Sequence, residues 1–142
     1  MSTETNKAVC RRMLDQLYNQ KRPDLIPEFF TPDFVYHAGR PSRELPIDRE
    51  GFKERVTMAL AAFPDIQITV DDEIAEGNRV VCRWTVTGTH HGAFGDIPPT
   101  GKAATRAGVA IYRLVDGKIA ENWLFADDLD FMRQLGVLPT PE

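Results

Sequence analysis

VVCRWTVTGTHH, residues 80–91, alternates apolar and polar side chains from end to end. Val80, Cys82, Trp84, Val86 and Gly88 share one side with His90, while Arg83, Thr85, Thr87 and Thr89 share the other with His91. A period of two over this length means a β-strand with one buried face. The preceding segment alternates too, with Ile66, Ile68, Val70 and Ile74 on one side, and EGNR at 76–79 makes a turn between the two strands. Beyond residue 91 come a Gly- and Pro-rich loop, GAFGDIPPTGK (92–102), and a long strand, ATRAGVAIYRLV (104–115). Asp116-Gly117 is a strong hairpin signal that returns the chain through KIAENWLFA (118–126). The second half of the chain is thus an antiparallel meander.

The first half has helical spacing instead. In NKAVCRRMLDQLYNQ (6–20), Val9, Cys10, Met13, Leu14, Leu17 and Tyr18 form one apolar stripe. Pro23 opens a short helical stretch, DLIPEFF, followed by a strand, FVYHA, and by a loop with two prolines, GRPSRELPI (39–47). Asp48 is placed to cap a helix over 49–62, whose inner face carries Phe52, Val56, Ala59, Leu60 and Phe63, and Pro64 ends it. A final helix, DLDFMRQLG, stops at Gly136. Segregated helices and hairpin-linked strands predict an α+β fold in a single domain over residues 1–142, with a curved antiparallel sheet whose concave side the helices cover.

Composition narrows the function classes. The 142 residues are 42% hydrophobic and 27% charged, with a net charge of −4 and 17 dispersed Lys and Arg residues. Such a balance offers no basic footprint for nucleic acid. No apolar run approaches the roughly 20 residues that span a bilayer, so no membrane association is expected. The opening MSTETNKAV lacks the layout of a signal peptide, and a cytoplasmic location is the expectation. Cys10 and Cys82 lie in apolar-patterned segments and read as buried thiols, and three histidines without ligand spacing give no metal site. The Gly-rich loop lacks GxxxxGK[ST], which excludes a nucleotide cradle, and no Ser or Cys sits in a nucleophile elbow.

Several phrases together carry a resemblance: FFTPDFVYHAG, then FPD, GTHHG and PPTGK, then DGKI and E-x-W-x-x-x-D ahead of MRQLG. From about residue 7 to residue 137 the chain resembles the SnoaL-like polyketide cyclases of the nuclear-transport-factor-2-like superfamily. The resemblance implies a cone-shaped barrel with a pocket between sheet and helices, commonly assembled as a homodimer. It implies a cofactor-independent, metal-free acid/base enzyme that closes a ring of a small, hydrophobic, carbonyl-rich substrate by an intramolecular aldol reaction. A non-catalytic small-molecule binder, a dehydratase, an isomerase or an epoxide hydrolase on the same fold are the alternatives, because a fold does not decide an activity.

The family's acid/base aspartate falls on Asp127. Read from the residues, Ile119, Glu121, Trp123, Phe125 and Asp127 point to one side of the last strand if no bulge intervenes. A carboxylate held among aromatic rings loses hydration and exchanges protons near neutral pH. The competing reading makes Asp127 the cap of the final helix, or leaves that task to Asp128 if Asp127 faces inward. A two-residue turn at Asp116-Gly117 would set Arg106 opposite Asp127 and Tyr112 opposite Glu121. His90, on the side of Trp84, is expected to face the pocket as a second catalytic group or as a bonded core histidine. His37, Trp84, Trp123, Arg106 and Glu121 are the expected substrate-binding or supporting residues, and His91 is expected to face outward.

Overall fold

The computed structural model describes residues 2–37 and 46–138. Helix α1 (Thr3–Leu14) is capped by the Ser2 hydroxyl, which accepts from the Thr5 amide at 3.1 Å. Its apolar stripe, Val9, Cys10, Met13 and Leu14, is buried as the spacing predicts. The helix then widens into one π-helical turn, Asp15–Asn19, which keeps Leu17 in the core. That turn also aims Asn19 at strand β3 (Gln67–Glu76), where its amide both donates to the Ile68 carbonyl (3.0 Å) and accepts from the Ile68 amide (2.7 Å). Strand β3 is an edge of the sheet, so Asn19 occupies backbone groups that would otherwise invite another strand.

A 3-10 turn (Pro23–Leu25) and the short helix α2 (Ile26–Phe29) lead into β1 (Phe30–His37). Most of the expected loop at 39–47 lies outside the described residues, but its end, Ile47–Asp48, forms the short strand β2. Helix α3 (Arg49–Ala62) starts where the sequence places it, with the Asp48 carboxylate accepting from the Gly51 amide at 2.8 Å. The meander follows as β3 (Gln67–Glu76), β4 (Arg79–Thr89), β5 (Ala103–Val115) and β6 (Lys118–Ala126), and helix α4 (Asp128–Gln134) closes the domain.

All six strands form one sheet in the order β2-β1-β6-β5-β4-β3. The sheet is mixed rather than wholly antiparallel, because β1 runs parallel to β6. Helix α1 lies over β3 and β4, α3 over β1 and β2, and α4 against β5. The face they cover carries Phe34, Tyr36, Val80, Cys82, Trp84, Ala110 and Tyr112, all buried in the main core. A second cluster, Ala62, Phe63, Ile66, Ala104, Phe131 and Leu135, joins the end of α3 to α4. Cys10 and Cys82 are buried free thiols, and burial pushes the Cys82 thiol up to about 12, so neither is poised as a nucleophile.

Three phrases of the family resemblance prove to hold one another. Asp65 of FPD accepts from the Thr89 amide and hydroxyl, both at 2.7 Å. His91 and Gly92 donate their amides to the Ala62 carbonyl at the end of α3. His90 donates its amide to the Lys102 carbonyl, and the Gly101 amide donates back to the His90 carbonyl. FPD, GTHHG and PPTGK thus form one clamp at the open end of β4.

Strand β3 departs from its expected alternation. A bulge between Val70 and Asp72 shifts the register, so that Glu73 pairs with Cys82 and Ile74 with Val81. Ile74 therefore turns outward and is 64% exposed, whereas Glu73 turns under α1. There the Glu73 side chain is only 6% exposed and takes a bond from Arg11 at 2.5 Å. Burial raises its carboxyl above the ordinary value of 4.5, partly offset by Arg11. A carboxyl raised in the folded state favours folding below its unfolded value and loses that contribution as pH rises through the folded one. Glu73→Gln is accordingly expected to match or exceed the wild type in urea midpoint at about pH 7, and to lose any advantage below about pH 4. A variant less stable than the wild type at neutral pH would mean that the Arg11 pairing outweighs burial.

Candidate active site

The decisive geometry lies in the β5–β6 hairpin. Asp116 and Gly117 both adopt positive φ (49° and 79°), giving the tight turn expected from the dipeptide. Val115 pairs with Lys118 and Leu114 with Ile119, in the register of a two-residue turn. Arg113 then pairs with Glu121, leaving Ala120 as an inserted residue. Beyond this bulge every partner moves by one, and each side chain of β6 moves to the other face.

Asn122, Leu124 and Ala126 consequently join the covered face, and Glu121, Trp123 and Phe125 join the outer one. This corrects the expectation that Glu121 and Trp123 point inward with Ile119. Asn122 is 3% exposed while Phe125 is 50% exposed. Asp127 lies one residue beyond β6, is exposed, and caps α4 by accepting from the Asp130 amide at 3.1 Å. Its own amide donates to the Ala107 carbonyl. The cap is therefore Asp127 and not Asp128.

The same shift changes the partner of Arg106. Its Nε donates to Oδ1 of Asp128 at 2.7 Å, in place of the expected approach to Asp127. The guanidinium also lies over the Trp84 ring, 5.5 Å from its centroid. Gly108 makes this possible: a Cβ there would run into the Trp84 indole and the Phe125 carbonyl. Tyr36 stands within the field of Arg55, Arg106 and Asp128, and the Arg55 guanidinium lies 5.6 Å over its ring. Burial raises the Tyr36 phenol, with the two arginines opposing. The ion pair thus stands at the solvent-exposed margin of the covered face, with the Asp128 side chain 58% exposed, next to an indole and a phenol.

His90 faces inward with Trp84, as its parity predicts, and is fully buried. It does not meet either aspartate. Its Nδ1 accepts from the Thr100 amide at 3.2 Å and lies 3.0 Å from the Thr100 hydroxyl. With Nδ1 accepting, the ring proton belongs to Nε2, which has no hydrogen-bond partner among the described residues. The ring stacks on Phe63 at 5.2 Å, and Phe63 in turn meets Phe94 and Phe131. His91 is exposed.

His37 is not on the covered face. It pairs in register with Trp123, stacks on that indole at 5.4 Å, and bonds Glu121 through Nε2 at 2.7 Å. Arg113 bonds the other Glu121 oxygen at 3.1 Å, and Arg79 lies over Trp123 at 5.0 Å. Desolvation opposes ionisation of Glu121, but the bonds from His37 and Arg113 hold its carboxyl below the ordinary range. His37, Glu121 and Trp123 therefore form an outer-face cluster, apart from Trp84 and Arg106. Among the described residues no group of three or more His, Cys, Asp or Glu side chains could hold a metal ion.

Asp128, Asn122, Tyr36 and Thr100 are absent from the sequence-based set. The first two are masked by the bulge; Thr100 had only its place in PPTGK to mark it. Replacing Thr100 by Val removes the hydroxyl from Nδ1 and is expected to cost about 1 kcal/mol. Amide exchange across 92–102 should quicken with it, read by hydrogen–deuterium exchange; unchanged exchange would show that His90 does not anchor the loop.

A family model described as SnoaL-like polyketide cyclase matches residues 8–135. Aklanonic acid methyl ester cyclase DnrD of Streptomyces peucetius is 30% identical over 144 aligned residues, covering 100% of this chain and 97% of that protein. Among solved structures, AclR of Streptomyces galilaeus, described as a putative hydroxylase, superposes with a TM-score of 0.85 at 31% identity, covering 97% and 100% of the two chains. IdmH of Streptomyces antibioticus, described as a putative polyketide cyclase, does so with a TM-score of 0.79 at 28% identity, covering 92% and 98%.

Proposed function

The chain belongs to the SnoaL-like polyketide cyclase family and is an enzyme, and from that premise we propose that its reaction takes place between the covered sheet face and helices α1, α3 and α4. The reaction is a cofactor-independent, aldol-type ring closure of a small hydrophobic substrate rich in carbonyl groups. The observation that carries this reading is the Arg106–Asp128 pair over Trp84, an acid/base group and a fixed cation beside an apolar wall.

In that chemistry a carboxylate removes a proton from a carbon activated by neighbouring carbonyls, and the electron pair moves onto a carbonyl oxygen. The enolate carbon attacks a second carbonyl, and the alkoxide so formed takes a proton back. Asp128 is the base and returns the proton, and Arg106 stabilises the enolate oxygen through the guanidinium hydrogens that Asp128 leaves free. His90, with its proton on Nε2, supplies a further donor, and Trp84 forms the wall against which the substrate lies. Asp127 acts on the same site by capping α4, which carries Asp128.

Aklanonic acid methyl ester, for which two relatives are named, is the first substrate to assay. Asp128→Asn is expected to lower turnover by at least about 100-fold with folding intact. Asp127→Ala should keep turnover and lose about 1 kcal/mol of stability through the lost cap. The reverse result would return the acid/base role to Asp127. Aldol ring closure leaves the substrate's mass unchanged, so a product heavier by one oxygen would instead favour the hydroxylation suggested by the description of AclR.

The outer sheet face is the proposed seat of a second copy. Phe125 is half exposed there, beside Trp123, Val109 and Ile111, which are only partly covered. Phe125→Glu is expected to convert a homodimer to monomers in light scattering, and a wild type already monomeric would remove the proposal. No described helix is long and apolar enough to cross a membrane, and free buried cysteines accord with a proposed cytoplasmic location.

A further inference from the structure

The covered face contains a second polar group of residues, distinct from the ion pair. Asn122 lies under the helices, and its Oδ1 has no hydrogen-bond partner among the described residues. Its cross-strand neighbours on both sides are tyrosines, Tyr36 on β1 and Tyr112 on β5. Tyr18, on the π-helical turn, packs against the same core. None of the three phenol hydroxyls takes a hydrogen bond from or to another described residue. Around them the core is apolar, with Phe52 5.4 Å from the Tyr36 ring and Cys82, Val80 and Leu124 nearby.

Buried polar groups in proteins are as a rule paired, and a single unpaired group is uncommon. Here Asn122 Oδ1 is such a group, and the phenols of Tyr36 and Tyr112 flank it beside the proposed reaction space. The amide oxygen can only accept, whereas each phenol can donate or accept. A ligand bearing only ketones would satisfy the phenols and leave Oδ1 orphaned. A ligand bearing an O–H group satisfies both.

We propose that Asn122, with Tyr36 and Tyr112, forms a recognition site for a phenolic or enolic hydroxyl on the substrate's ring system. This deepens the cyclase reading and rests on it: the hydroxylated end of the substrate is held deep, and the carbonyls to be joined lie towards Arg106 and Asp128. Sites built around a ligand hydroxyl reject analogues that lack it far more strongly than apolar pockets reject a size change, because the site's own polar groups are left unpaired. Asn122 is thus a specificity-determining residue.

The test is calorimetric binding of a dihydroxyanthraquinone and of the parent anthraquinone without hydroxyls to the full chain. The wild type is expected to bind the hydroxylated probe at least about tenfold tighter. Asn122→Leu, similar in volume and apolar, should bind the parent as well as before and lose the preference. A Tyr36→Phe, Tyr112→Phe double variant should reduce the preference, which provides a second measurement if the leucine variant does not fold. Equal affinities for both probes in the wild type overturn the hydroxyl assignment alone, as does a folded Asn122→Leu that keeps the preference. Failure of the wild type to bind either probe overturns both this inference and the flat, carbonyl-rich substrate on which it rests.

Discussion

One inserted residue, Ala120, decides what the last third of the chain does. Before it the hairpin follows the register of its turn; after it, each residue of β6 faces opposite to where that register would send it. The insertion has an apolar cause, since Ile119 and Ala120 are consecutive and both buried. A regular strand cannot bury two successive side chains on one face, and a bulge can. Asn122 gains its place between two tyrosines from this, Trp123 its place beside His37, Asp127 its role as cap, and Asp128 its arginine. The bulge at Asp71 acts in the same way on a smaller scale, trading an exposed Ile74 for a buried Glu73.

The helices were legible because their stripes are one-sided. The 49–62 helix and its Asp48 cap, and the buried face of the first helix, follow from spacing and capping chemistry alone. Strand β4 was equally clear, since Cys82, Trp84 and His90 alternate with arginine and threonines. Strand β6 was not. WLFA is apolar on both parities, so the sequence could not tell that Leu124 and Ala126 would be covered while Trp123 and Phe125 stood outside. Nor did the order of elements announce that β1 would run parallel to β6, the pairing that brings His37 to Trp123 and Tyr36 to Asn122. The facing of the candidate residues was therefore read correctly on β4 and differently on β6 and β1.

The two faces of the sheet divide the polar residues by kind. Charged side chains gather outside: Glu121 with His37 and Arg113, and Asp71 with Arg83. On the covered face between β1 and β5 the polar groups are an amide and phenols, and formal charge appears there as the Arg106–Asp128 pair at the end next to α4. Ions are costly to bury, and neutral polar groups much less so. A neutral, oxygen-rich molecule would meet little electrostatic resistance along the stretch between Tyr36 and Tyr112.

Gly108 carries a consequence beyond its own strand. The Trp84 indole can settle against the backbone of β5 because position 108 lacks a side chain, and the Arg106 guanidinium rests on that indole. The height of the cation above the sheet is thus set by a missing methyl group two residues along the same strand. A family whose members act on molecules of different thickness could adjust the reach of this arginine at a position that never touches the ligand.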